Sequence, residues 1–353
     1  MYIEPFVNSK ENMEDMLRKM QHMADSNYLH TISMTELYQT SYKSRAPIIE
    51  DLLYVGAYIL AGAPKIGKSF LVAQIAYHVS TGVNLWAYKV HQGTVLYLAL
   101  EDDFQRIQSR MFMMYGVNDT EHLHFTTAAN KIDAGLDEQL ENFMREHPDT
   151  KLIIIDTMQK IREVGGEKYS YANDYEIIGK LKQFADKHCI CVLTVHHTRK
   201  QQSDDAFEMI SGTTGLLGCA DGSLLMQKKK RTDLTATVNV VGRDQQDQVL
   251  YLTKDPKTQI WSLERTETEL YREPPDPVLE AVAKLVNVEH PEWTGSPSEL
   301  AETANVGMAA NALTKYLNVK YGRLLDEYHV GYENKARHSG RQVKLTYMLI
   351  DSV

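Results

Sequence analysis

Residues Gly62–Ser69 read "GAPKIGKS": a glycine, four residues, then Gly-Lys-Ser. That spacing lets a chain wrap backbone N–H groups around a phosphate, provided a strand leads in and a helix leads out. Both are present, because "AYILA" precedes the stretch and "SFLVAQIAYHV" follows it. Gly62 and Gly67 allow the turn and a close backbone approach. Ala63, Pro64, Lys65 and Ile66 form the loop between them, and Phe70 lies in the first turn of a helix whose N-terminus faces the anion. Lys68 is expected on the terminal phosphates and Ser69 on Mg²⁺.

Outward from this loop, apolar β-branched runs alternate with helical patterns from about Ile48 to Leu263, among them "TVLYLAL", "KLIIID" and "ICVLTVHH". Continuous apolar strands separated by helices predict an α/β fold with a parallel sheet covered on both faces. Such sheets bind ligands at the carboxyl ends of their strands. The proline-rich "YREPPDP" then marks a boundary. The expected organisation is an N-terminal helical segment over residues 1–45, a nucleotide-binding domain over 46–266 and a small domain over 276–353. In the first segment Met13, Met16, Leu17, Met20 and Met23 recur at helical spacing. This amphipathic helix either packs on its own domain or docks on a neighbouring subunit.

The tail reads as three helices, the first across "PVLEAVAKLVNVEH", then two strands, an order that looks like a winged helix-turn-helix. Ser296, Pro297 and Glu299 form a helix start with a capping box. The last hairpin carries Lys335, Arg337, His338, Arg341 and Lys344 around Ser339-Gly340. Such a wing is suited to nucleic acid, or is a solvated hairpin or a subunit contact. The formal net charge of -9 excludes a protein that coats nucleic acid with its whole surface, so any polyanion contact is local. No apolar run reaches the length of a membrane span and the start lacks a leader pattern, so a cytoplasmic protein with no membrane contact is expected. Cys189 and Cys191 alternate along one strand and Cys219 stands alone; all three are expected to be small buried residues in a reducing compartment.

The carboxylates come from two strand ends. "KLIIIDT" delivers Asp156, the expected magnesium ligand with Ser69. The next residue is Thr157, so the base that activates water must come from elsewhere. "TVLYLALEDD" brings Glu101 to the same edge as the candidate general base, with Asp102 or Asp103 sharing the role or capping the next helix, capping being the reading for Asp102. "CICVLTVHH" ends in His196 and His197, which point to opposite faces; His197 is the candidate sensor of the terminal phosphate. Arg243, in "NVVGRDQQDQVLYL", sits between two strands, either as a solvated tip or as an arginine finger beside a neighbour's nucleotide.

Together "GAPKIGKS", "LYLALEDD", "LIIIDTMQK", "VHHTRK", "SGTTGLLGCADGSLL" and "VGRDQQ" resemble the RecA-like ATPases of the hexameric replicative helicase type, closest to the RepA-like plasmid and phage group. The resemblance implies a RecA-like core, ATP with Mg²⁺, Glu101 as base, His197 as sensor and Arg243 acting on the next subunit. It also implies a homo-hexameric ring holding single-stranded DNA on central loops, where Lys160, Arg162, Lys168, Arg199 and Lys200 are the candidate contacts, with Asp204, Asp205 and Glu208 opposing. The winged-helix-like tail departs from the simplest members. The expected function is an ATP-hydrolysing DNA motor of a mobile element. The alternatives are a nucleotide-gated DNA-binding regulator with weak ATPase and a small-molecule kinase; the basic wing and the placement of Glu101 count against the kinase.

Overall fold

The computed structural model describes residues 29, 31–42, 46–162, 171–197, 219–268, 275–337 and 340–348. The chain divides into two compact units, one of residues 45–270 and one of residues 1–44 with 271–353. The helix expected over Met13–Met23 lies outside the described residues. Among the described residues no helix is long and apolar enough to cross a membrane.

The first unit is a nine-stranded sheet in the order β3-β2-β4-β5-β1-β6-β7-β8-β9. Its strands are β1 (Gly56–Gly62), β2 (Thr94–Ala99), β3 (Leu123–Thr126), β4 (Thr150–Asp156), β5 (Cys191–His197), β6 (Gly222–Gln227), β7 (Thr235–Gly242), β8 (Gln248–Lys254) and β9 (Trp261–Thr268). From β3 to β6 every pairing is parallel; from β6 to β9 every pairing is antiparallel. The pattern of side chains explains the change. Every residue of β1 is buried, whereas β7 and β8 alternate buried and half-exposed positions, as expected of a sheet with one wet face.

Helices close both faces of the parallel part. Helices α2 (Lys68–Thr81) and α3 (Phe104–Tyr115) bury Leu71, Ile75, Ile107 and Met114 against Tyr58, Leu60 and Tyr97. On the other face α4 (Asp137–Glu146) and α5 (Tyr171–His188) bury Leu140, Ile178 and Leu181 against Ile59, Ile153 and Ile155. Residues 59 and 60 thus enter different cores, as the two-residue period of a strand requires. The cysteine expectation fails at Cys189, which precedes β5, has φ 54° and is exposed, and Cys219 is only half-buried; Cys191 is buried.

The second unit comprises α1 (Met34–Gln39), α6 (Pro277–Ala283), β10 (Glu292–Gly295), α7 (Pro297–Ala304), α8 (Ala310–Tyr328), β11 (Val330–Arg337) and β12 (Gly340–Tyr347). Its sheet runs β10-β12-β11, antiparallel throughout. Leu279, Leu300, Leu313, Leu317, Val343 and Leu345 fill its core. The helix expected across "PVLEAVAKLVNVEH" stops at Ala283. The side chain of Asn287 instead accepts from the amides of Glu289 and His290, a local turn that competes with helix. After Pro291 the chain enters β10, a strand the sequence reading lacks. The capping box at Ser296 and Glu299 is present. Helix α1 meets α8 through Asn318 Nδ2, which donates to the Tyr38 carbonyl at 3.0 Å.

Candidate functional site

The loop after β1 turns through two left-handed residues, Lys65 at φ 65° and Gly67 at φ 109°. A Cβ on Gly67 would lie 2.7 Å from the Trp261 ring, and one on Gly62 would lie 2.6 Å from the Met226 carbonyl, so glycine is required at both. Ala63, Pro64 and Lys65 are exposed and Ile66 is buried. Lys68, the first residue of α2, folds back over the loop and its Nζ donates to the carbonyls of Gly62 at 2.7 Å and Ala63 at 2.9 Å. Burial lowers its pKa to about 8 against the pull of Asp156 and Glu101.

Asp156 ends β4, buried. Tyr97 from β2 donates its hydroxyl to Oδ2 at 3.0 Å, and Ser69 donates to the same carboxylate. Burial holds this carboxyl above the ordinary carboxylate range despite both donors. Glu101 follows β2 and is exposed; Thr157 Oγ1 donates to its Oε1 at 3.2 Å. His197 ends β5 with Nδ1 3.1 Å from Lys68 Nζ. An ammonium only donates, so Nδ1 is the acceptor. Burial and the Lys68 charge both lower the His197 pKa, which favours the neutral ring. Lys68, Ser69, Glu101, Asp156 and His197 therefore share one edge of the sheet. A hydroxyl and a buried carboxylate beside a phosphate-binding loop fit Mg²⁺, a hard cation that takes one or two protein oxygens and completes its shell with phosphate and water.

The neighbours of Glu101 are committed elsewhere. Asp103, not Asp102, caps α3, accepting from Arg106 N at 2.8 Å. Asp102 pairs with Arg110 at 2.7 Å. Arg243 is not brought to this group. Its N–H donates to the Asp221 carbonyl at 2.8 Å and its guanidinium lies 3.8 Å from the Asp221 carboxylate. Asp221 precedes β6 at the amino end of the sheet, and its Oδ2 accepts from Ala57 N at 3.0 Å. The seven residues of β1 separate the two ends by roughly 20 Å.

Of the loop cations, Arg162 is held by Asp174 at 2.6 Å and Lys160 is exposed. Lys168, Arg199, Lys200, Asp204, Asp205 and Glu208 lie outside the described residues, as do His338 and Ser339. In the wing, Lys335 pairs with Glu333 at 2.7 Å and Lys344 with Glu292 at 2.6 Å, while Arg341 reaches Gln39 at 3.5 Å.

Sequence reasoning missed Tyr97, Gln74 and Trp261. Gln74 is buried within the apolar α2, and that mismatch was the available signal. Its side chain accepts from Trp261 N at 2.8 Å and donates to Trp261 O at 2.9 Å. The Trp261 indole N–H in turn donates to Gly67 O at 3.3 Å, tying β9 to the phosphate loop. Trp261 is fully buried, so Trp261→Ala is expected to cost about 3–5 kcal/mol. Urea denaturation followed by circular dichroism checks this; a loss below about 1 kcal/mol would show that the loop does not lean on the indole.

A family model described as an AAA domain matches residues 26–203. Among solved structures, an ATPase domain of the DnaB-like helicase group has a TM-score of 0.50 at 14% identity, covering 73% of this chain and 99% of that one. A DnaB-like replicative helicase, solved to show its interactions with primase, has a TM-score of 0.52 at 12% identity, covering 71% of each chain. No curated protein matches the sequence. At these identities the likeness is one of fold, and it falls on helicase ATPase domains of the RecA-like kind.

Proposed function

The chain belongs to the AAA domain family, and on that premise we propose that it is an ATP-hydrolysing, ring-forming DNA motor of the replicative-helicase kind. Its setting would be the cytoplasm, in the replication or recombination of a mobile element. The observation that carries this reading is the separation of parts: Lys68, Ser69, Glu101, Asp156 and His197 share one sheet edge, while Arg243 is anchored at the opposite end. A site complete except for its arginine, on a chain that presents an arginine elsewhere, is what heterologous head-to-tail assembly supplies.

The loop amides from Gly62 to Phe70 and the α2 N-terminus hold the phosphate chain. Lys68 leaves its carbonyl acceptors for the terminal phosphates. Ser69 and Asp156 would hold Mg²⁺, which supplies charge neutralisation between the terminal phosphate oxygens when bound. Glu101, oriented by Thr157, accepts the proton of the attacking water. Neutral His197 offers a ring N–H to the terminal phosphate, and Arg243 of an adjoining copy stabilises the charge that develops there. The helix-strand-helix-helix-strand-strand order of the second unit supports a winged-helix reading. The acidic partners of Lys335 and Lys344 limit its free positive charge, so DNA contact in the motor is assigned mainly to the loops.

The hydrolysis rate per subunit, measured across protein concentration with and without single-stranded DNA, tests the reading. It is expected to rise with concentration and with DNA. A rate indifferent to both would sink the motor. DNA binding without turnover would favour a nucleotide-gated regulator, the reading supported by the second unit's own fold.

A further inference from the structure

Two lysines converge on one indole beside the phosphate loop. Lys228 follows β6 and Lys254 ends β8; both strands run in the direction of β1, so both lysines emerge at the edge that carries the loop. Lys228 Nζ lies 5.2 Å and Lys254 Nζ 5.7 Å from the centroid of the Trp261 ring, and Lys254 Nζ also lies 5.4 Å from the Phe70 ring. The same indole touches Gly67. Both ammonium groups hydrogen-bond neutral oxygens: Lys228 the Asp233 carbonyl at 2.6 Å, and Lys254 the Gln259 side chain at 2.6 Å. The nearby Asp233 carboxylate accepts from Lys230 N. Burial lowers the pKa of both lysines, and the Lys254 charge lowers that of Lys228 further. Two half-buried like charges held together are unfavourable until an anion joins them.

Sheet order says which part of a nucleotide they meet. Glu101, Asp156 and His197 stand at the ends of β2, β4 and β5, on one side of β1; Lys228, Lys254 and Trp261 stand at β6, β8 and β9, on the other. A nucleotide lying across the loop with its terminal phosphate at the hydrolytic side has its α-phosphate and sugar on the lysine side. We propose that Lys228 and Lys254, seated on the Trp261 and Phe70 rings, bind the α-phosphate end of the nucleotide. This rests on the nucleotide-binding reading above and adds residues that reading does not use.

The test is calorimetric titration of the full chain with ATP and with ADP, each with Mg²⁺, for wild type, Lys228→Met and Lys254→Met. Methionine keeps an apolar stem on the rings without the charge. Because both nucleotides carry the α-phosphate, ATP and ADP are expected to weaken by the same factor, on the order of tenfold per substitution. Lys254→Arg is expected to retain wild-type affinity. If a methionine variant fails to fold, the glutamine variant at that position takes its place. Unchanged affinities would overturn the proposal, and so would a loss confined to ATP, which would put the lysines at the terminal phosphate. A wild-type chain that binds neither nucleotide would instead overturn the parent reading.

Discussion

Glu101→Gln is expected to lower ATP turnover about 10³-fold while leaving nucleotide affinity within about twofold of wild type. The expectation rests on elimination as much as on placement. The residue after Asp156 is Thr157, whose hydroxyl donates to Glu101 Oε1. Asp102 is held by Arg110 and Asp103 caps α3, so neither carboxylate is free to replace Glu101 without dismantling a fold contact. Asp156 is buried between the Tyr97 and Ser69 hydroxyls in the position of a metal ligand. Glutamine preserves the shape and still accepts from Thr157, but it cannot take a proton from water. Single-turnover hydrolysis and nucleotide titration on the same preparation separate the outcomes. A fall of less than about tenfold with binding intact would remove Glu101 from the base role, since general-base loss costs more than that. A parallel loss of affinity would recast it as a binding residue.

Much of this edge was legible in the sequence because local pattern and chemistry coincide there. Buried parallel strands leave uninterrupted apolar runs, and a carboxylate or histidine that ends such a run marks the carboxyl edge; Asp156, Glu101 and His197 were all found that way. What escaped was long-range. Trp261 lies 187 positions from its partner Gln74, and nothing in "TQIW" announces a contact with the phosphate loop. Lys228 and Lys254 read as ordinary surface cations until β6 and β8 are known to run with β1. In the small unit, β10 has only four residues, too few for a period-two pattern to stand out. Its preceding turn is carried by the Asn287 side chain, a competitor that helical spacing does not register. Asp102 and Asp103 were equally placed to cap, and only the helix start decided between them.

Asp221 was also invisible in sequence, and it bears on the second large effect. This carboxylate, buried at the amino end of β1 and β6, binds the Ala57 amide, Lys182 and Arg243. Gln245, two residues beyond Arg243, accepts from the Tyr58 hydroxyl at 2.9 Å. The tip carrying Arg243 is thereby fastened to the strand whose other end becomes the phosphate loop. A surface arginine with no task has no need of such anchorage, whereas a group that must reach a neighbouring site in a fixed pose does. Arg243→Ala is accordingly expected to lower turnover about 10³-fold with nucleotide affinity retained. The diagnostic step is mixing. A preparation of Arg243→Ala and one of Glu101→Gln, each nearly inactive, should recover activity when combined, because an Arg243→Ala subunit keeps its base and borrows arginine from a Glu101→Gln neighbour. With random head-to-tail assembly of equal amounts, about a quarter of interfaces are complete. Recovery toward that fraction assigns Arg243 to the neighbour's site. An inactive mixture, with both variants still assembling, would confine the arginine to its own subunit and leave the Asp221 anchorage a matter of stability alone.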